Sequence, residues 1–152
     1  MADDPDPLTP TIRPATPADL DFIIALDRDM TGIEKPEYWR GIYDRFGKGS
    51  EGCILVAYTD DRFVGFIVGE VRAWEFGSPP CGWVFALGVP ADLRVQGVGT
   101  ALFEGLCDRF RAAGVKTIRT MLARDARLLM SFFRSQGMMG GPFIQLEKEL
   151  AG

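Results

Sequence analysis

The stretch Leu87-Gly-Val-Pro-Ala-Asp-Leu-Arg94-Val-Gln96-Gly97-Val-Gly99-Thr100-Ala-Leu102 carries the strongest structural signal in the sequence. An apolar strand, Trp83–Val89, ends in it and is expected to be buried on both faces. A loop, Pro90–Gln96, follows, and two glycines then open an amphipathic helix, Gly97–Ala113. The first N–H groups of a helix have no intrahelical partner and lie at the positive end of its dipole. Glycines there let an anion approach the backbone, so the stretch predicts a phosphate-binding turn.

Two other nucleotide-binding motifs fit this stretch less well. A Walker loop requires Gly-Lys followed by Ser or Thr, which is absent. A dinucleotide fingerprint requires a third glycine where Leu102 stands and a tight turn where this chain has a seven-residue loop. The structural alternative, in which Gly97 and Gly99 only ease the start of a helix, stays open.

Composition excludes several classes of function. The net charge of −4 argues against phosphate-dominated binding of nucleic acid. The chain has no histidine and three scattered cysteines, Cys53, Cys81 and Cys107, so a zinc site is disfavoured and a Cys-His or Ser-His pair is excluded. The cysteines are interpreted as core residues in a reducing compartment. The first ten residues are too polar for a signal peptide and no apolar run has transmembrane length, so the expected location is the cytoplasm.

The remaining pattern predicts an α+β fold. Residues 1–10 are expected to form a flexible acidic tail and residues 11–152 a single domain. The segments expected to be strands or helices, besides those above, are Thr11–Arg13 (strand), a helix begun by Thr16-Pro-Ala-Asp19, a short helix from Pro36, Cys53–Tyr58 and Phe63–Trp74 (a hairpin), Thr117–Leu122 (strand), Asp125–Gln136 (helix) and Phe143–Leu150 (last strand).

Two motifs in this order of elements resemble the GNAT superfamily of N-acetyltransferases. Arg94-x-x-Gly97-x-Gly99 is similar to its acyl-CoA-binding signature, and Phe133-Arg-Ser-Gln-Gly137-Met138 stands where the family has Tyr-x-x-x-Gly-Phe. The resemblance covers roughly residues 11–150. It implies a mixed, mostly antiparallel sheet of about six or seven strands with about four helices, and acetyl-CoA as co-substrate. Gly65–Gly82 followed by Trp83, with the Tyr38-Trp39 helix, looks most like prokaryotic protein-acetylating members.

The resemblance also implies a set of cofactor contacts. The backbone N–H groups of the turn would hold the pyrophosphate, and the backbone at the end of the buried strand would pair with the pantetheine amides. The next strand would splay away to make room for the thioester. The implied cofactor residues are Leu87, Gly88, Val89, Arg94, Val95, Gln96, Gly97, Val98, Gly99, Thr100 and Phe133.

The usual acid and base groups of the family are absent at their matched positions. Ala126 replaces an asparagine, Phe133 a tyrosine, and Trp83 and Met121 stand where different subfamilies have a glutamate. The candidate bases are therefore Glu70, inside the apolar strand Ile67–Val71, and Glu75 at the strand's end. A charge pair between Glu70 and Arg72 or another cation is the structural alternative.

The expected reaction is acetyl transfer from acetyl-CoA to an amine by direct attack in a ternary complex. No acyl-enzyme is required, and none of the cysteines is placed to form one. A protein lysine is the preferred acceptor; a small-molecule amine and a catalytically idle acyl-CoA-binding module are the alternatives. The acceptor groove would be lined by Tyr38, Trp39, Tyr43 and Trp74, for each of which core packing is the alternative. The oligomeric state, including a homo-oligomer, stays open.

Overall fold

The computed structural model describes residues 9–46, 52–93 and 97–151. These residues form two compact units, one ending at Met121 and one beginning at Leu122. The regular elements are β1 (Thr11–Pro14), α1 (Leu20–Thr31), α2 (Pro36–Phe46), β2 (Gly52–Thr59), β3 (Arg62–Arg72), β4 (Cys81–Gly88), α3 (Val98–Ala112), β5 (Ile118–Thr120) and α4 (Arg127–Ser135). Short 3-10 turns lie at Pro17–Asp19, Glu75–Gly77 and Ala91–Leu93.

The first unit contains one mixed sheet with the strand order β1-β2-β3-β4-β5. The first four strands run antiparallel to their neighbours, whereas β5 runs parallel to β4 because α3 carries the chain back across the sheet. The α+β class and the mixed sheet are therefore as predicted.

Helices cover both faces of this sheet. On one face, α1 and α2 bury Ile23, Ile24 and Trp39 against Val56 and Phe66. On the other face, α3 packs closely over glycines. A Cβ at Gly69 would lie 2.9 Å from both Leu106 Cδ2 and Phe110 Cζ, and a Cβ at Gly82 would overlap the Phe110 ring. Glycine is required at both positions because α3 lies directly on the sheet.

The prediction of about six or seven strands is wrong for the described residues, which form five. The predicted strand Phe143–Leu150 has no regular structure, and Ile144, Leu146 and Leu150 are 84–89% exposed. Its alternating apolar side chains fit a strand, but a strand also requires a neighbour for its backbone hydrogen bonds. As far as the structure describes the second unit, it contains no strand that could be this neighbour.

Several observed boundaries of strands differ from the predicted boundaries by a few residues. β4 begins at Cys81, before the predicted start at Trp83, and β5 covers only half of Thr117–Leu122. Residues 1–8 of the predicted tail lie outside the described residues. Of the helices within the described ranges, none combines the length and the apolar character that crossing a bilayer requires.

Candidate active site

The edge of β4 that faces β5 is paired over only part of its length. Gly82, Trp83 and Val84 pair with Ile118, Arg119 and Thr120, and the Thr120 hydroxyl donates to the Val84 carbonyl at 2.7 Å. β4 then continues through Phe85–Gly88, beyond the end of β5. An extended ligand with amide groups can pair with this edge as an added strand.

The structure also corrects the predicted burial of β4. Trp83, Phe85, Ala86 and Leu87 are half-buried rather than fully buried. The prediction assumed that neighbouring chain would cover the strand along its whole length. The half-buried segment Phe85–Leu87 lies where β5 has stopped, and the position of a thioester there stays a prediction.

A β-bulge lies at the same point of the sheet. Val68 pairs with Ala86 and Gly69 pairs with Val84, so Phe85 is an extra residue in β4. A bulge bends its strand and redirects backbone groups and side chains, and bulges are frequent beside active sites. The bulge is adjacent to Val84, the last residue of β4 that pairs with β5.

The N-terminus of α3 has the properties of an anion site. Gly97 has φ +82° and precedes the helix, and its carbonyl accepts the first helical bond, from Ala101 N–H at 3.0 Å. The N–H groups of Val98 and Gly99 precede this bond and point out of the helix end. Among the described residues, no side chain caps this end and no acidic residue lies in the first turn. Helix N-termini of this kind bind phosphate.

The end of β4 and the start of α3 lie close together. A Cβ placed on Gly65 would lie 2.8 Å from the Gly88 carbonyl, 3.4 Å from Val89 Cγ2 and 3.1 Å from Leu102 Cδ1. Gly88 ends β4, and Leu102 is in the second turn of α3. Gly88 and Val89 therefore lie beside the second turn of α3, and the predicted residues Gly97–Thr100 lie in the turn that precedes it. The other predicted contacts, Arg94, Val95 and Gln96, lie outside the described residues.

Glu70 is part of an ion-pair network. Its side chain is 17% exposed, Arg72 Nε donates to Oε1 at 3.0 Å, and Arg45 Nη2 lies 3.7 Å from Oε2. The Arg72 guanidinium stacks 4.6 Å from the centre of the Trp83 ring and reaches the exposed Glu75 at 3.8 Å. The charge pair that the sequence left as an alternative is therefore present, and a role for either carboxylate as a base stays a prediction.

Phe133 lies in α4, in the second unit. Its side chain is 5% exposed and packs edge-on against Phe132 at 5.3 Å. The helix is shorter than the predicted Asp125–Gln136 at both ends; Gly137, which follows it, has φ +91°, and Met138 N–H donates to the Phe133 carbonyl at 3.0 Å. Its contact with a cofactor stays a prediction.

The aromatic residues proposed for an acceptor groove divide into two groups. Trp39 is 2% exposed and packs edge-on against Phe66 at 5.2 Å, so it is a core residue. Tyr43 also packs against this core, whereas Tyr38 and Trp74 are 48% and 68% exposed. Only the exposed pair is placed to meet a ligand from solvent.

Sequence analysis missed Asp27. This carboxylate is buried in α1, where Trp39 Nε1 donates to Oδ2 at 3.0 Å and Lys35 Nζ lies 3.1 Å from the same oxygen. The signal was present in the helical spacing, because Asp27 follows Ile23 by four residues and Ile24 by three on the apolar stripe.

Cys53 and Cys107 are poor nucleophiles in this fold. Burial raises the pKa of the Cys53 thiol to about 11, and burial also raises the pKa of Cys107. Within the described ranges, no group of three or more His, Cys, Asp or Glu side chains is arranged to hold a metal ion.

Comparisons with known proteins agree with this geometry. The model of the Acetyltransferase (GNAT) family matches residues 20–138. L-2,4-diaminobutyric acid acetyltransferase of Nocardia farcinica (strain IFM 10152) is 33% identical over 98 residues, which are 64% of this chain and 48% of that protein. The match thus spans about half the length of this curated relative.

Two solved structures have the same fold. The aminoglycoside N-acetyltransferase AAC(6')-Iy in complex with CoA superposes with a TM-score of 0.81 at 13% identity, covering 93% of this chain and 95% of that chain. The aminoglycoside 6'-N-acetyltransferase AAC(6')-Ih of Acinetobacter baumannii superposes with a TM-score of 0.80 at 16% identity, covering 94% of this chain and 99% of that one.

Proposed function

Since the chain belongs to the acetyltransferase (GNAT) family, we propose that it transfers the acetyl group of acetyl-CoA to a primary amine of a small molecule. The observation that carries the proposal is the end of β5 at Thr120, which leaves the bulged segment Phe85–Gly88 of β4 without a neighbour from β5. The end of β4 and the second turn of α3 both lie close to Gly65, and on this basis we place an extended pantetheine along the free edge of β4 and its pyrophosphate at the N-terminus of α3.

The protein groups have separate tasks in this reaction. Acetyl-CoA supplies a thioester, whose acyl carbon accepts the amine. The backbone of β4 beyond Val84 aligns the pantetheine, and N–H groups of the bulged segment polarise the carbonyl oxygen. The amine nitrogen forms the new C–N bond as the C–S bond breaks, and CoA leaves as a thiolate. A thiol with a pKa near 8.5 leaves without an obligatory acid, which agrees with phenylalanine at position 133.

An alkylammonium acceptor must first lose a proton, because its ordinary pKa is about 10.4. Glu70 is our candidate for the group that receives this proton, through water. It pairs in the ladder with Trp83, two positions from the bulged Phe85. Glu75, which is exposed and shares Arg72 with Glu70, is the second candidate.

The proposed acceptor differs from the protein lysine that the sequence favoured. The names of the relatives support the small-molecule alternative, since one is an acetyltransferase of diaminobutyric acid and two are aminoglycoside acetyltransferases. The idle acyl-CoA-binding module is the second candidate function. The absence of the usual acid and base groups at Trp83, Met121, Ala126 and Phe133 favours it.

The proposal is tested by release of free thiol from acetyl-CoA in the presence of single amines. The panel contains 2,4-diaminobutyrate, an aminoglycoside and a lysine-containing peptide, and mass spectrometry identifies each product. We expect N-acetylated product from at least one small amine. Product from the peptide alone would reverse the acceptor class, and binding of CoA without any product would establish the idle module.

A further inference from the structure

Asp27 is a buried acid at a place where an apolar residue would be expected. It lies on the inward face of α1, and its side chain is only 11% exposed. A buried carboxylate is stable only when charged or hydrogen-bonding groups replace the water it has lost. The groups that contact Asp27 therefore define what this position is built to hold.

Two groups share one oxygen of Asp27, and they differ in exposure. The indole N–H of Trp39 donates at 3.0 Å from a core position, where the ring is fixed against Phe66. The ammonium of Lys35, at 3.1 Å, belongs to the link between α1 and α2, and its side chain is 36% exposed. The same ammonium lies 5.8 Å from the centre of the exposed Tyr38 ring. The inner partner is thus buried in the core, and the outer partner faces solvent.

This position is next to the end of β4. Met30 follows Asp27 by one turn of α1, and its sulfur would lie 3.1 Å from a Cβ on Gly88. Phe66, on which Trp39 packs, pairs with Gly88 in the sheet. Asp27 is therefore connected through Trp39 and Phe66, and along α1 through Met30, to the segment of β4 at which we place the thioester.

We propose that Asp27 holds the second ammonium of a diamine acceptor and that Lys35 is its internal substitute. The inference rests on the proposed function and adds the acceptor class. A carboxylate beside an aromatic ring is a recognised binding arrangement for alkylammonium groups, and Lys35 shows that one fits here. Replacing one ammonium by another leaves the buried charge paired, so the acceptor does not have to strip water from a bare carboxylate. One amine of the acceptor is held at Asp27 while the other attacks.

Two substitutions with opposite expected effects test this assignment. Asp27→Asn keeps the shape and the acceptor for Trp39 but removes the charge. It should raise the KM for 1,4-diaminobutane at least tenfold and change the KM for butylamine less than twofold. Lys35→Met removes the internal competitor and should lower the KM for 1,4-diaminobutane at least threefold. Arg28→Met, which breaks an exposed ion pair with Asp29 on the same helix, is the matched control and should change neither value.

A purely structural ion pair predicts a different pattern. Both variants would then have a lower Tm, with KM for the diamine and for the monoamine changed by the same factor or not at all, and this result would overturn the assignment. Calorimetric titration of 1,4-diaminobutane into the protein saturated with CoA separates this inference from the proposed function. Binding that depends on Asp27 without turnover would reject the proposed function alone. If Asp27→Asn keeps both binding and turnover of the diamine, Asp27 does not hold the acceptor.

Discussion

Glu70 is the residue on which the proposed proton transfer depends. Glu70→Gln keeps the hydrogen bond from Arg72 but cannot accept a proton. We expect kcat/KM for the amine to fall by about 10²-fold, which is typical of lost general base catalysis, and the acidic limb of the pH–rate profile to disappear. The affinity for CoA, measured by calorimetry, should stay unchanged, because the proposed cofactor contacts lie on β4 and α3.

The alternative is that Glu70 has only a structural role, as the partner of two arginines in ion pairs. If Glu70→Gln lowers the Tm while kcat/KM and the pH profile stay near wild type, Glu70 only anchors Arg72 and Arg45. A parallel Glu75→Gln variant identifies which carboxylate matters, and a larger loss there would transfer the proposed role.

Among the contacts of single side chains, the sequence predicted some and missed others. The pairing of Glu70 with Arg72 was foreseeable, since residues two apart on a strand share a face. The contact with Arg45 was not, because α2 reaches Glu70 only through tertiary packing. The role of Asp27 was missed for the same reason, because its helical position indicated burial but did not show its partners Trp39 and Lys35.

The N-terminus of α3 is the element that we expect to bind the pyrophosphate, and the two ends of this helix offer a matched test. Gly97 and Gly114 have φ +82° and +81°, and a Cβ at either would meet no atom within 4 Å. Valine at either position is strained by its backbone alone, at a cost of about 1–2 kcal/mol. Only Gly97→Val should also weaken CoA binding, by about tenfold or 1.4 kcal/mol.

Urea unfolding and calorimetry measure the two effects separately. Equal losses of stability with a loss of affinity in Gly97→Val alone would support the pyrophosphate position. Equal affinities in two folded variants would place the cofactor elsewhere.

Elements with a local signal were predicted well, and those that depend on a distant partner were not. Alternation and turn residues predicted the β2–β3 hairpin, and the amphipathic pattern after the opening glycines predicted α3. The last strand failed because its pattern could not show which edge, if any, its backbone would pair with. The bulge at Phe85 was equally hidden, because register belongs to a pair of strands.

On the scale of the whole molecule, Asp19 couples the start of the fold to acid stability. The carboxylate is 1% exposed and accepts hydrogen bonds from Arg13 at 2.8 and 3.0 Å, from Thr16 N–H at 2.7 Å and from the Tyr58 hydroxyl at 2.5 Å. Burial acts to raise the pKa of Asp19, but these bonds and the charge of Arg13 outweigh it and lower the pKa to about 2. Asp19 thereby ties β1 and β2 to the turn before α1.

The sign of the pH effect follows from this shift. The folded pKa lies below the ordinary value near 3.9, so Asp19 stabilises the fold above pH ~4, and this contribution of about 2 kcal/mol is lost as the pH falls towards 2. Urea unfolding between pH 2 and 5 should show that the difference in stability between wild type and Asp19→Asn shrinks as the pH falls. Asp108→Asn, in an exposed pair with Arg111, is the control and should keep the wild-type pH dependence. A difference that is constant with pH would contradict the assigned pKa.

In the proposed complex, acetyl-CoA occupies the edge of β4 beyond the end of β5. Hydrogen–deuterium exchange with and without CoA tests it most directly, because bound pantetheine and pyrophosphate must cover backbone N–H groups. We predict slower exchange in peptides containing Phe85–Val89 and Gly97–Thr100, and no change in the interior of β2, at Cys53–Ala57. If saturating CoA slows exchange elsewhere and leaves both segments unchanged, acetyl-CoA does not bind at the edge of β4.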